Sequence, residues 1–255
     1  MRESSTFEPA HLTGTKDAYG RELNDQGFAE IDEERLEHAV REFLLAIGEN
    51  PDREGLKETP ARVARATEEL LSGMWEEPKA HLRKQFEAPD SDELVVVRDI
   101  PFESFCEHHI LPFRGTAAVV YLPKHGRICG LSKLGRLVQG YAHRLQVQER
   151  LTAQIADALM EELDPEGALV VLSAEHSCMT MRGIKSTGSL TVTEAARGVL
   201  ADDCELRREA RELAGAGRSS RCWKLAWQMS RQSASRLSRS ASRAIAMRAE
   251  DLSSS

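Results

Sequence analysis

The 255-residue sequence predicts an α+β fold in which antiparallel strands carry long helices on one face. Three observations predict it. Short β-branched runs bounded by glycine and proline come in two successive pairs, at 93–98 with 116–122 and at 167–174 with 189–193. Two stretches of helical period, one from Ser132 through Tyr141 and one over 148–163, stand between the pairs. The full order reads α-α-β-β-α-α-β-β-α, an α+β pattern.

Taken in order, residues 1–30 mix Ser, Thr, Glu, Gly and Asn without a hydrophobic period and read as a mobile arm. Residues 31–47 form a helix, because Leu36, Ala39, Val40, Phe43, Leu44 and Ile47 recur at helical spacing and Asp32, Glu33 and Glu34 suit the positive end of its dipole. After a loop at 48–57, Thr59 as N-cap and Pro60 at the first helical position start a second helix, which stops at Ser72-Gly73. These two helices make an N-terminal hairpin. Arg62 and Arg65 share a face of the second, as a solvated face or as a basic pair.

The strands at 93–98 and 116–122 flank a turn containing Cys106-Glu107-His108-His109. Pro123 to Gly126 supplies the next turn. Ser132 is read as the N-cap of a helix carrying Leu134, Leu137, Val138 and Tyr141. The helix at 148–163 puts Leu151, Ile155, Ala156, Leu159 and Met160 on one face. The buried-type strand at 167–174 leads into His176-Ser177-Cys178, and a charged helix follows at 202–213. Domain organisation is then a 1–30 arm, a 31–213 domain (helices to 75, catalytic core from 93) and a tail at 216–255. That tail holds eight Arg or Lys against two acids, many Ser, and Trp223 and Trp227. It reads either as a basic amphipathic segment or as a poorly ordered extension.

Bulk composition narrows the class. Hydrophobic content is 41% and charged content 29%, ordinary for a soluble domain. No apolar run reaches the roughly 18–20 residues of a membrane span, and the N-terminal stretch is polar, so a cytoplasmic protein without stable membrane association is expected. Five scattered cysteines in a long chain do not make a disulfide framework. A net charge of −7 gives no reason to expect nucleic-acid binding.

Four groupings carry chemistry. Cys and His suit zinc, and Cys106, His109 and Cys178 would leave a fourth position open, as catalytic sites do; Cys178 could equally be a small buried hydrophobe. His108 and His176 stand beside those ligands, and an imidazole's unperturbed pKa is close to operating pH, so each is an acid/base candidate or a supporting histidine. Ser132, Lys133 and Arg136 open a helix where phosphate binds well, and Arg182 follows the second cluster. Glu149, beside Gln148, can accept hydrogen bonds from a guanine-type edge or simply complement a helix dipole.

Cys106-Glu-His-His109, Gly130-Leu-Ser-Lys-Leu-Gly-Arg136, Arg144-Leu-Gln-Val-Gln-Glu-Arg-Leu-Thr152 and His176-Ser-Cys-Met-Thr-Met-Arg-Gly183 resemble, in order and spacing, the motifs of GTP cyclohydrolase I. Glu58-Thr-Pro-Ala-Arg62 is similar to that family too, and the resemblance covers about 31–213. It implies a tunnelling fold, with a four-stranded antiparallel sheet backed by two helices. It also implies a homodecamer with active sites at subunit interfaces. The implied reaction takes GTP and water to 7,8-dihydroneopterin triphosphate and formate, the entry to tetrahydrofolate or tetrahydrobiopterin. By position, Cys106, His109 and Cys178 match the zinc ligands, zinc activating the water that attacks purine C8. His176 and His108 match the acid/base histidines. Glu149, helped by Gln148 or nearby backbone, matches the guanine anchor. Ser132, Lys133, Arg136 and Arg182 match ribose and triphosphate contacts, and Arg62 and Arg65 match triphosphate contacts from a neighbouring subunit. The stretch 191–198 and the tail depart from the family pattern, and Glu107 has no assigned role.

Two other readings compete. One is a silent paralogue that keeps the fold and zinc as a regulatory subunit; the retained histidines, ligands and Glu149 speak against it. The other is a nitrile reductase on the same fold, which would use a cysteine nucleophile and NADPH and would not need the split ligand set.

Overall fold

The computed structural model describes residues 15–17, 19–88 and 93–215. The 216–255 tail and residues 1–14 of the arm lie outside the described residues. The rest of the stretch expected to be a mobile arm makes tertiary contacts: Asn24 donates to Met74 O at 3.0 Å, and Trp75 donates to Ala29 O at 2.9 Å.

Helix α1 (Glu33–Ala46) is capped by the Asp32 carboxylate, which accepts from the Arg35 N–H at 3.0 Å. Helix α2 (Thr59–Leu70) begins one residue earlier than the sequence suggests. Glu58 is its N-cap, and Thr59 and Pro60 lie inside the first turn, where a missing N–H costs nothing. The two helices pack against each other.

Strand β1 (Gln85–Glu87) precedes two long strands, β2 (Val95–Cys106) and β3 (Leu111–Leu122). Strand β2 runs well past the predicted end. A bulge between Val97 and Ile100 puts Asp99 at φ 58°, and the pairing with β3 then resumes through Pro101. Pro101 is tolerated because the other edge of β2 pairs only further on, at Phe105 and Cys106. Next come β4 (Arg127–Cys129), α3 (Leu131–Ala142), β5 (Leu145–Gln146) and α4 (Gln148–Leu163). The described residues finish with β6 (Gly167–His176), α5 (Ser177–Thr180), β7 (Thr191–Gly198), α6 (Val199–Asp202) and α7 (Cys204–Leu213). The single charged helix predicted at 202–213 is thus split at Asp203, whose carboxylate caps α7.

The main sheet has the order β5-β2-β3-β6-β7, five strands where four were expected. Four of them, β2, β3, β6 and β7, pair antiparallel; β5 adds a two-residue parallel pairing at the end of β2. Helices α3 and α4 cover one face. Leu134, Leu137, Val138, Leu151, Ile155 and Leu159 are fully buried there with Phe102, Phe113 and Tyr121 of the sheet. Against the other face, Leu200 and Ala210 pack on Ala118, Val120, Leu169 and Val171.

The sheet has two functionally different ends. At one, Cys106 closes β2, Leu111 opens β3, His176 closes β6 and Gln148 opens α4. At the other, Leu122 pairs with Gly167, and β4 and β1 pair beside the end of α4, where Gln85 donates to Glu162 O at 2.6 Å. Helix α3 starts at this second end, just after β4, and finishes at the first, where Gln146 donates to Tyr141 O at 2.9 Å. Among the described residues, no helix is long and apolar enough to cross a membrane.

Candidate active site

The sheet end formed by β2, β3 and β6 gathers the two Cys/His clusters. The β2–β3 hairpin turns at 107–110, with Ile110 N–H donating to Cys106 O at 2.8 Å and Ile110 at φ 53°. That turn swings His109 back beside Cys106. Register does the rest: Phe113 of β3 lies opposite His176 of β6, so the chain beyond His176 arrives next to the hairpin. The ligand atoms of Cys106, His109 and Cys178 all lie within 4.8 Å of one another. Cys106 is buried, Cys178 half-buried and His109 exposed, which leaves the cluster open to solvent on one side.

The donor chemistry fits a metal ion. Arg182 Nη1 lies 2.7 Å from His109 Nε2. An arginine can only donate, so Nε2 accepts here, and its lone pair is available to a metal once Arg182 yields it. Burial first, and then Cys106 beside it, push the Cys178 thiol up. Two thiols in contact resist ionising together, and a cation between them reverses that preference. Two sulfurs and an imidazole nitrogen suit a borderline-soft divalent ion with one position left open.

His176 is held beside this cluster. Its ring stacks on Phe113 at 4.5 Å between centroids, with 2° between the planes. Its Nε2 lies 2.8 Å from Gln148 Oε1. The Gln148 amide nitrogen faces three acceptors, Leu172 O at 3.2 Å and Thr191 O and Thr193 Oγ1 at 3.0 Å. Gln148 must therefore present oxygen to His176, and His176 donates from Nε2. Its Nδ1 is left to carry a proton to or from a ligand. Burial lowers the His176 pKa, and the nearby charge of Glu149 opposes that shift. The Gln148 side chain is only 1% exposed. It is thus spent on holding His176 rather than offered to a guanine base.

Residues 36–215 match the GTP cyclohydrolase I family. A GTP cyclohydrolase 1 from Carboxydothermus hydrogenoformans is 56% identical over 185 residues, covering 72% of this chain and 96% of that protein. Those from Clostridioides difficile and Streptomyces coelicolor are each 57% identical, over 72% and 75% of this chain and 96% and 95% of their own lengths. The chain belongs to the GTP cyclohydrolase I family. Among solved structures, apo archaeosine synthase QueF-Like is matched at 18% identity with a TM-score of 0.35, covering 41% of this chain and 93% of that one.

Within this GTP cyclohydrolase I family chain, the remaining predicted residues fall into two groups. His108 is exposed on the hairpin turn, with Nδ1 3.7 Å from Cys106 Sγ. Glu149 is exposed in the first turn of α4 and Arg182 lies on His109, so both stand at the metal end. Ser132, Lys133 and Arg136 do not. They occupy the first half of α3, at the opposite end of the sheet, and Gly130 rather than Ser132 caps that helix. From Lys133 to the end of α3 at Ala142 the rise is about 14 Å. Arg62 and Arg65 are exposed on α2. Among the described residues, no hydrogen bond, ion pair or ring contact joins any of these five to the Cys/His cluster. Phe113, Thr152 and Thr193, which fix His176 and Gln148, were not singled out from the sequence. Phe113 and Thr193 meet partners distant in the chain, and Thr152 donates to Gln148 O at 2.6 Å one turn back in α4 and meets Thr193 Oγ1, contacts that hydrophobic period does not mark.

Proposed function

We propose that this chain is a GTP cyclohydrolase I, converting GTP and water to 7,8-dihydroneopterin triphosphate and formate. The observation that carries the reading is the convergence of a Cys-His-Cys metal cluster, a rigidly held His176 and the Glu149 carboxylate on one sheet end of a family member. Cys106, His109 and Cys178 would hold zinc, which when bound lowers the pKa of water and so supplies a nucleophile at neutral pH. Glu149 accepts hydrogen bonds from the guanine N–H edge and so sets the purine with its imidazole ring toward the cluster. His176 takes up a proton at Nδ1, whose lone pair the contact with Gln148 leaves free, and passes it to the imidazole-ring nitrogen as C8 is attacked. His108, on the exposed side of the turn, carries a second proton. Two waters are consumed in opening the ring and releasing formate. The ribose then opens, rearranges to a ketone and recloses on the freed amine, returning one water.

The triphosphate is held from elsewhere. Arg182 stands at the metal end, but Ser132, Lys133 and Arg136 are at the far end of the same chain. Both groups serve one GTP only if a second copy brings its α3 start to the first copy's metal end. This supports a homo-oligomer with active sites between subunits, a ring of ten as in the family, with Arg62 and Arg65 adding charge to the same phosphates. A cytoplasmic enzyme at the head of a pterin pathway fits this chemistry. The test is to incubate zinc-loaded protein with GTP and follow formate and, after oxidation, pterin fluorescence. One formate per GTP consumed is expected. GTP left intact, as the regulatory-subunit reading requires, would overturn the assignment.

A further inference from the structure

Glu107 is the one member of the Cys106–His109 turn without a role in the chemistry above, yet it is the best anchored. Its carboxylate pairs with Arg150 Nη2. Arg150 also donates from Nε to Gln146 Oε1 at 3.0 Å and from Nη2 to Leu145 O at 3.0 Å. The backbone repeats the link: Glu107 N–H donates to Gln146 O at 3.0 Å, and Leu145 and Gln146 pair with Phe105 and Cys106. Gln146 is itself buried and fixed, donating to Tyr141 O at 2.9 Å and to Gln154 Oε1 at 2.8 Å. One guanidinium therefore spans two pieces of chain 43 residues apart. One piece carries the metal ligands Cys106 and His109. The other is the first turn of α4, which carries Glu149 immediately before Arg150.

We propose that Glu107 and Arg150 form a positioning pair that holds the metal-ligand turn in register with the start of α4, so that the metal and the guanine anchor keep a fixed separation. The inference rests on the reading of Glu149 as the guanine contact. Both side chains are engaged by the protein itself: Glu107 pairs with Arg150, and Arg150 is also tied to Leu145 and Gln146. Nor does the pair serve mainly as a stability element. The side chains are 36% and 18% exposed, and an ion pair so placed adds little to folding. What it adds is geometry. Each half of the site depends on where that turn stops, and a displacement of about 1 Å is enough to cost a reaction dearly.

The test is a double-mutant cycle on the full-length protein with Glu107→Gln, Arg150→Gln and both together. Zinc affinity is read by competition with a chromophoric chelator, GTP turnover as separate kcat and KM, and folding as Tm. Each single change is expected to weaken zinc binding roughly tenfold, as loss of ligand support does, and to raise KM for GTP while Tm moves little. The double variant should be no worse than either single one. Glu107→Asp, which keeps the charge but shortens the reach, should lose as much as Glu107→Gln. Unchanged zinc affinity and KM in Glu107→Gln, or losses that simply add in the double variant, would overturn the proposal. The zinc arm needs no turnover, so a wild-type protein that binds zinc but leaves GTP intact would count against the functional reading and not against the pair.

Discussion

At the scale of single residues, His176 is fixed by Gln148 and Phe113, neither of which is assigned any chemistry. Cys178 comes within reach of Cys106 and His109 because α5 begins directly after β6, and the proposed metal cluster should fail without it. Cys178→Ser is expected to come off a desalting column without stoichiometric zinc by metal analysis, while retained zinc would show that the third ligand lies elsewhere. Gln148 makes a sharper case. Its amide is saturated by Leu172, Thr191 and Thr193, and its oxygen faces His176. Gln148→Met should therefore lower kcat by about 10²-fold, the scale of a misplaced acid or base, and leave KM for GTP near wild type. A raised KM at unchanged kcat would show direct contact with the base instead. This role was not legible in the sequence. Gln148 sits next to Glu149, and only the pairing of β6 with β7 reveals which of the two turns inward.

Among the elements, legibility followed the length of the pattern. Helix α4 was readable because five apolar residues from Leu151 to Met160 recur on one face, and it spans the predicted 148–163. The end of β2 was not. Asp99 and Pro101 look like strand breakers, and both are accommodated, one by a bulge and the other by an unpaired edge. Yet that continuation is what delivers Cys106 to the site. The two residues of β5 carry no periodic signal at all, although they lock the ligand turn to α4. The β3–β6 pairing is equally specific about its contents. A Cβ on Gly115 would stand 1.9 Å from Ser173 O, so the strands cannot close over any larger residue. Gly115→Ala is expected to cost about 1–3 kcal/mol or more in denaturant unfolding and to lower zinc affinity by displacing His176 and Cys178 relative to Cys106. Wild-type stability would mean that the sheet shifts freely at this point.

Across the whole molecule, the proposed site divides between opposite ends of one sheet. Cys106, His109, Cys178, His176, Glu149 and Arg182 stand at one end, and the α3 start with Ser132, Lys133 and Arg136 stands at the other. The sequence could list both halves, because their motifs are local, but not their separation, which comes from α3 running back along the sheet. A closed ring of identical subunits unites unlike halves through a repeating head-to-tail contact. Mixing tests this directly. His176→Ser leaves one half inactive, and Lys133→Ala with Arg136→Ala leaves the other. Each variant alone should release almost no formate from GTP. Dissociated and reassembled together in equal amounts, they should regain about a quarter of wild-type activity, since one site in four then draws both intact halves from different subunits. Mixed assemblies, confirmed by mass, that stay as inactive as their parents would contradict a site shared between chains.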